Sequence, residues 1–230
     1  MVRSSMGLIC LLAMISLASA ARATDFVLSE GILSDAEFYQ LVSCGAAPRG
    51  ACRDQPIKWP ADKRQNLTIG IAQRDAGFPS RTARFVLLGL RNAVRQVNRI
   101  GADVRLNEVT AGSAADILIY LQDIPEGGRI EGTGLRGLDG VAIEIGRFHV
   151  LWDRNREITR AGIVLSRDLN PRHAASVILE EIVQSLGLIW DIRNPAYRDR
   201  SIFDEDSNRV TALRGQDIIA LRQHYPGGQR

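Results

Sequence analysis

Glu180 and Glu181 stand side by side in the run His173 to Trp190, with Gln184 and Gly187 following at spacings of one helical turn. Paired carboxylates suit general acid–base chemistry, and Glu181 is the candidate catalytic group. Consecutive helical residues point about 100° apart, so the two glutamates do not face one substrate together. Asp191, just beyond the run, could fold back to supply a second carboxylate. Glu180, Asp191 and the Asp204-Glu205-Asp206 run are also hard oxygen donors of the type that hold calcium or magnesium. That run lacks calcium-loop spacing and reads as a solvated turn. A third reading is structural: a buried carboxylate needs a partner, and Arg198, Arg200 or the Ser201-Ile202 backbone could supply one.

A helix is required to position these groups. Pro171 suits a first helical turn, and Gly187 suits a stop, which predicts a helix over 171–187. On a helical wheel Ala175, Ile178, Leu179, Ile182 and Leu186 share the core side. His173, Val177, Glu180 and Gln184 form a second stripe with Glu181 on its flank. That stripe either lines a cleft or faces solvent.

Upstream, Ser34-Asp35-Ala36-Glu37 has the form of a capping box, with Phe38, Leu41 and Val42 at helical spacing. Leu67–Ile71 reads as a strand. Ser80–Ile100 reads as a helix whose apolar set includes Phe85, Leu88, Val94 and Val97, stopped by Gly101. Val104–Val109, Ile117–Leu121, Val141–Ile145, Phe148–Trp152 and Ala161–Leu165 read as further strands, with a glycine-rich loop over 127–140. This order predicts an α+β fold with helices packed on one sheet.

The chain has 230 residues, 45% hydrophobic and 24% charged, with a formal charge of +3, which suits an ordinary globular protein. Arginines are spread along it without one dense basic run, so nucleic-acid binding is not expected. Arg3, the apolar run Met6–Leu17 and the small-residue sites Ala18-Ser19-Ala20 and Ala21-Arg22-Ala23 read as a cleavable signal peptide over 1–23. No later apolar run is long enough to span a bilayer. The expected product is a secreted or periplasmic monomer without a membrane span. It has an N-terminal extension over 24–62 and a main domain over 63–230. Cys44 and Cys52 are the cysteines outside the signal, and in an oxidising compartment they predict a disulfide.

Val177–Leu188 resembles the active-site helix of matrixin-type metzincin proteases, V-A-A-H-E-x-G-H-x-L-G-L. Ser201-Ile202-Phe203 resembles the S-I-M of that family's Met-turn. Leu213–Tyr225 resembles its closing helix, and Ala115-Asp116-Ile117-Leu118-Ile119 resembles its A-D-I-x-I strand. The resemblance covers roughly 67–225 and implies a zincin-like α+β fold. The sequence is also similar to a family of exported bacterial proteins of unknown function carrying an E-E-x-x-Q-x-L-G-L helix and a downstream S-I-F segment. In the protease pattern Glu180, Gln184 and Trp190 fall on the three zinc-ligand positions, Glu181 on the base and Phe203 on the turn methionine. An amide is a poor zinc ligand and an indole is none. The expectation is therefore a domain with no metal or other cofactor, recognising an extended peptide or an envelope component through the former cleft. The alternative is a metal-independent hydrolase or atypical peptidase using Glu181. Cleft recognition runs beside an edge strand, for which Ala161–Leu165 is the candidate.

Overall fold

Apolar runs rich in branched residues build the inner strands of a five-stranded sheet. In the computed structural model, which describes residues 26–227, these are β2 (Leu67–Arg74), β4 (Ile117–Gln122) and β6 (Ile158–Ser166). The sheet is completed by β3 (Leu106–Glu108) at one edge and β5 (Gly146–Trp152) at the other, in the order β3-β2-β4-β6-β5. Strands β3, β2, β4 and β6 run parallel, and β5 runs antiparallel to β6. A separate two-stranded parallel pair joins β1 (Phe26–Leu28) to β7 (Asp191–Arg193). The architecture is a mixed α/β fold with a mostly parallel sheet and, among the described residues, four α-helices.

One face of the sheet packs on helices. Helix α2 (Ser80–Arg99) lies against β3 and α3 (Ala174–Gln184) against β5, and the two helices pack on each other. Gly89 makes that approach possible, because a Cβ there would sit 2.7 Å from Ile178 Cγ2 and 3.0 Å from Ala175 Cα. The other face is covered by the glycine-rich segment, whose Ile130, Leu135, Leu138 and Ile143 pack with Tyr120 and Val164. Asp139 organises that segment by accepting hydrogen bonds from Thr133 and Gly134.

The N-terminal extension is woven into the main fold. Helix α1 (Asp35–Cys44) begins with the capping box expected at Ser34 and Glu37, and packs on α4 (Gln216–His224) and β7. Trp59 is fully buried and donates its indole N–H to the Ser185 carbonyl at 3.0 Å. Cys44 and Cys52 form the expected disulfide. Asp116 ties β4 to β2 by accepting the Thr68 N–H and hydroxyl at 2.9 and 2.7 Å.

Several expectations are corrected. Ala161–Leu165 is no edge strand: β6 lies between β4 and β5, and β5 holds the edge. Val141–Ile145 is not a strand of the sheet, because Val141 and Ile143 bond back to Ile130 and Gly128 of their own loop. The motif helix runs from Ala174 to Gln184 and not over 171–187, with residues 171–173 in a turn and Gly187 beyond the last turn. Phe85 and Leu88 are exposed, and Ala83, Val86, Leu90, Ala93 and Val97 form the inner face of α2. The 1–23 signal segment lies outside the described residues. Among those residues, no helix is long and apolar enough to cross a membrane.

Candidate functional site

Helix α3 carries no solvated polar stripe. Its apolar residues fill the core, and Glu181 and Gln184 are buried with them. The turn after the helix decides where the polar groups find partners. Gly187 adopts φ +101°, a conformation that L side chains rarely adopt, and a Cβ there would lie 2.2 Å from the Ile57 carbonyl. The chain therefore reverses at once into β7. Asp191 returns to α3, where Gln184 donates Nε2–H to its Oδ1 at 2.8 Å in a buried bond.

Glu181 points to the sheet edge. Gly146, at the start of β5, has no side chain, and a Cβ there would sit 2.4 Å from Glu181 Oε1. The Phe148 N–H favours the charged form of the Glu181 carboxyl. The direction of that N–H follows from the ladder. Ser166 N–H donates to the Ile145 carbonyl, and antiparallel alternation then turns Gly146, Phe148 and Val150 away from β6. Glu181 thus lies on the outward-donor side of the sheet's antiparallel edge. Its Oε2 is buried with no hydrogen-bond partner among the described residues. Burial pushes the Glu181 pKa up to about 8, against the Arg147 guanidinium and the Phe148 N–H. At neutral pH the carboxyl is mostly protonated.

Glu180 is half-buried among acids. Burial first, and then the charges of Asp191, Glu181, Glu205 and Asp204, hold its carboxyl well above the ordinary range. Neither Arg198, Arg200 nor the Ser201-Ile202 backbone supplies its partner. Ser201 donates instead to Asp217 of α4 at 2.6 Å, and Phe203 N–H donates to Ser201 Oγ at 3.1 Å. Of the expected solvated turn, Glu205 and Asp206 are exposed, whereas Asp204 is buried and accepts the N–H groups of Asp199 and Asp206 at 3.0 and 3.3 Å.

The remaining candidates lie elsewhere in the core. Trp190 packs flat against Gly45, with the Arg53 guanidinium 5.1 Å above its ring, and locks the disulfide loop onto the domain. Phe203 is fully buried with its ring edge-on to Phe38, 6.0 Å between centroids. The three histidines are dispersed. His224 is buried between Ile57 and Tyr39, and desolvation, with Lys58 nearby, lowers its pKa to about 3. His149 faces Gly137 of the glycine-rich segment, and His173 is exposed before α3.

The zinc implied by the protease resemblance does not fit this arrangement. The Gln184 amide is committed to Asp191, the Trp190 indole packs on Gly45, and Glu180 sits among other carboxyls. Among the described residues, no group of three or more His, Cys, Asp or Glu is arranged to hold a metal ion, which also leaves the calcium or magnesium reading without support.

Sequence reasoning missed Gly146, Phe148 and Trp152 as parts of one edge. Trp152 ends β5 with 44% of its surface exposed, and the Arg156 guanidinium lies 5.4 Å from its ring. Its signal was an aromatic at the end of a strand, beside the turn Asp153–Arg156. No curated protein matches the chain. The profile of one family, described as protein of unknown function (DUF2927), matches residues 87–227, from within α2 through β5, α3 and α4. With more than half of its length matched, the chain belongs to the DUF2927 family.

Proposed function

We propose that this protein is an exported, non-catalytic recognition domain that binds an extended peptide or peptide-like envelope component along the outer edge of β5. The observation that carries the reading is an antiparallel edge strand that ends in exposed Trp152. Such an edge pairs with an added strand through main-chain hydrogen bonds and needs no metal. The Phe148 carbonyl remains for the ladder, Val150 is only 3% exposed, and Trp152 is an aromatic anchor. A zincin-like class for the fold is part of the same proposal. It is supported by the long helix after the first sheet strand and by a motif helix packed beside an antiparallel edge. Export is supported by the N-terminal sequence and by the Cys44–Cys52 bridge.

The alternative, a metal-independent hydrolase, is favoured by one observation. A carboxyl with a pKa of about 8 can exchange a proton near neutral pH. Glu181 is buried, however, and lines neither the pocket beside Leu28, Arg193 and Pro195 nor the one beside Phe38, Tyr197 and Asp217. An array of random decapeptides tests the recognition reading. Retained decamers should lose binding when alternate amides are N-methylated, and Trp152→Ala should weaken them about tenfold or more. Glu181→Gln should leave binding intact. Retention that is indifferent to N-methylation would remove strand addition, and peptide cleavage abolished by Glu181→Gln would establish the enzyme.

A further inference from the structure

Helix α2 holds five arginines, Arg81, Arg84, Arg91, Arg95 and Arg99, and no acidic residue. At 3.6 residues per turn all five fall within one sector of about 120°, along about 27 Å of helix. Phe85 and Leu88 lie in the same sector, 40% and 54% exposed. Arg91, at the margin, pairs with Glu108 at 3.6 Å, and the other four make no ion pair among the described residues. This exposed face is therefore cationic and apolar together.

We propose that this face docks on an anionic phospholipid surface. Charge complementarity selects a polyanion. The same complementarity argues against a second copy, whose arginines would meet these. Two exposed apolar side chains a turn apart among arginines suit shallow insertion between headgroups while guanidinium groups bind phosphates. A nucleic-acid backbone would take the arginines but has no use for Leu88, the more exposed of the two. The fold keeps docking compatible with recognition. Helix α2 packs on β3 at one edge of the sheet, and β5 is the opposite edge.

The test compares sedimentation of the full chain with pure phosphatidylglycerol vesicles and with pure phosphatidylcholine vesicles at low ionic strength. The ratio is read because the apolar run Met6–Leu17 could partition into both. A ratio well above one is expected, and Arg84→Glu/Arg95→Glu should lower it about tenfold or more. A control of equal charge change on other surfaces, Arg136→Glu/Arg154→Glu, should leave most of it. Should the glutamate pair lower the melting temperature, Arg84→Gln/Arg95→Gln replaces it. In a Cys10→Ser background, a fluorophore on Leu88→Cys should shift blue with the anionic vesicles only. A ratio near one, a ratio indifferent to the α2 charges, or an equal loss in the control would overturn the proposal. Salt-sensitive binding of a DNA duplex by the same arginines, without preference for anionic vesicles, would assign the face to nucleic acid and overturn it as well.

Discussion

Helices α2 and α3 lie against each other and depart from amphipathic patterning in opposite directions. Helix α3 takes polar groups inside: Glu181 and Gln184 are 7% and 3% exposed. Helix α2 leaves apolar groups outside, at Phe85 and Leu88. Buried polar groups call for partners: Gln184 finds Asp191, and burial keeps the Glu181 carboxyl protonated at neutral pH. Exposed apolar groups carry no such demand and cost the fold little. The contrast separates residues that hold the domain together from residues offered to the outside.

The largest effect tests the α3 side. Ile182→Ala, at a fully buried position, should destabilise by about 2–5 kcal/mol in denaturant unfolding. A loss under about 1 kcal/mol would mean that α3 is less tightly packed than its burial implies. Next, Gly89→Val should force the helices apart. Overpacking of about 1–3 kcal/mol is expected, outweighing the usual gain from removing a helical glycine.

Gly146→Ala and Gln184→Ala probe the polar groups. The first drives a methyl into Glu181 Oε1, and the second leaves buried Asp191 without its amide donor. Each should cost about 1–3 kcal/mol. No change for either would break the view that α3's polar residues are structural.

A pH titration sharpens it further. The Glu181 pKa is raised from 4.5 to about 8, so the folded state keeps a proton that the unfolded chain loses. Its contribution is complete below pH 4.5 and is lost as pH rises to about 8. Glu181→Gln should flatten that fall. His224 acts with the opposite sign. Its pKa is lowered from 6.5 to about 3, so its contribution is present above pH 6.5 and lost as pH falls toward 3. The stability difference between wild type and Glu181→Gln should fall as pH rises from 4.5 to about 8, and a difference that does not vary with pH would contradict the shift. The smallest effect belongs to α2: Leu88→Ser should change stability by no more than about 0.5 kcal/mol.

Local signals were legible where local physics decides. The Ser34 capping box, the 80–99 helix and the Cys44–Cys52 bridge depend on neighbours within a few residues and could be read directly. The edge strand could not. β5 and β6 are both apolar runs of similar length, and only strand order tells an inner from an outer one. Arginine clustering was also hidden, because residues spread over 81–99 converge only after the helix turns its other face inward. Of the candidate site, Asp191 does fold back onto α3 but bonds Gln184 and not a second carboxylate, whereas Trp190 packs on Gly45 and Arg53 and Phe203 lies in the core.

The sequence by itself determined helices α1 to α3, the inner strands β2, β4 and β6, the disulfide and the candidate group on α3, Glu181. Periodicity, caps and cysteine spacing act over short distances along the chain. Tertiary structure alone decided that β5 is the free edge, that Gly146 makes room for the Glu181 carboxyl, and that Phe85 and Leu88 remain outside. Those outcomes depend on which strands pair and which helix faces meet. They are set by packing between residues far apart in the chain, for which no local pattern exists.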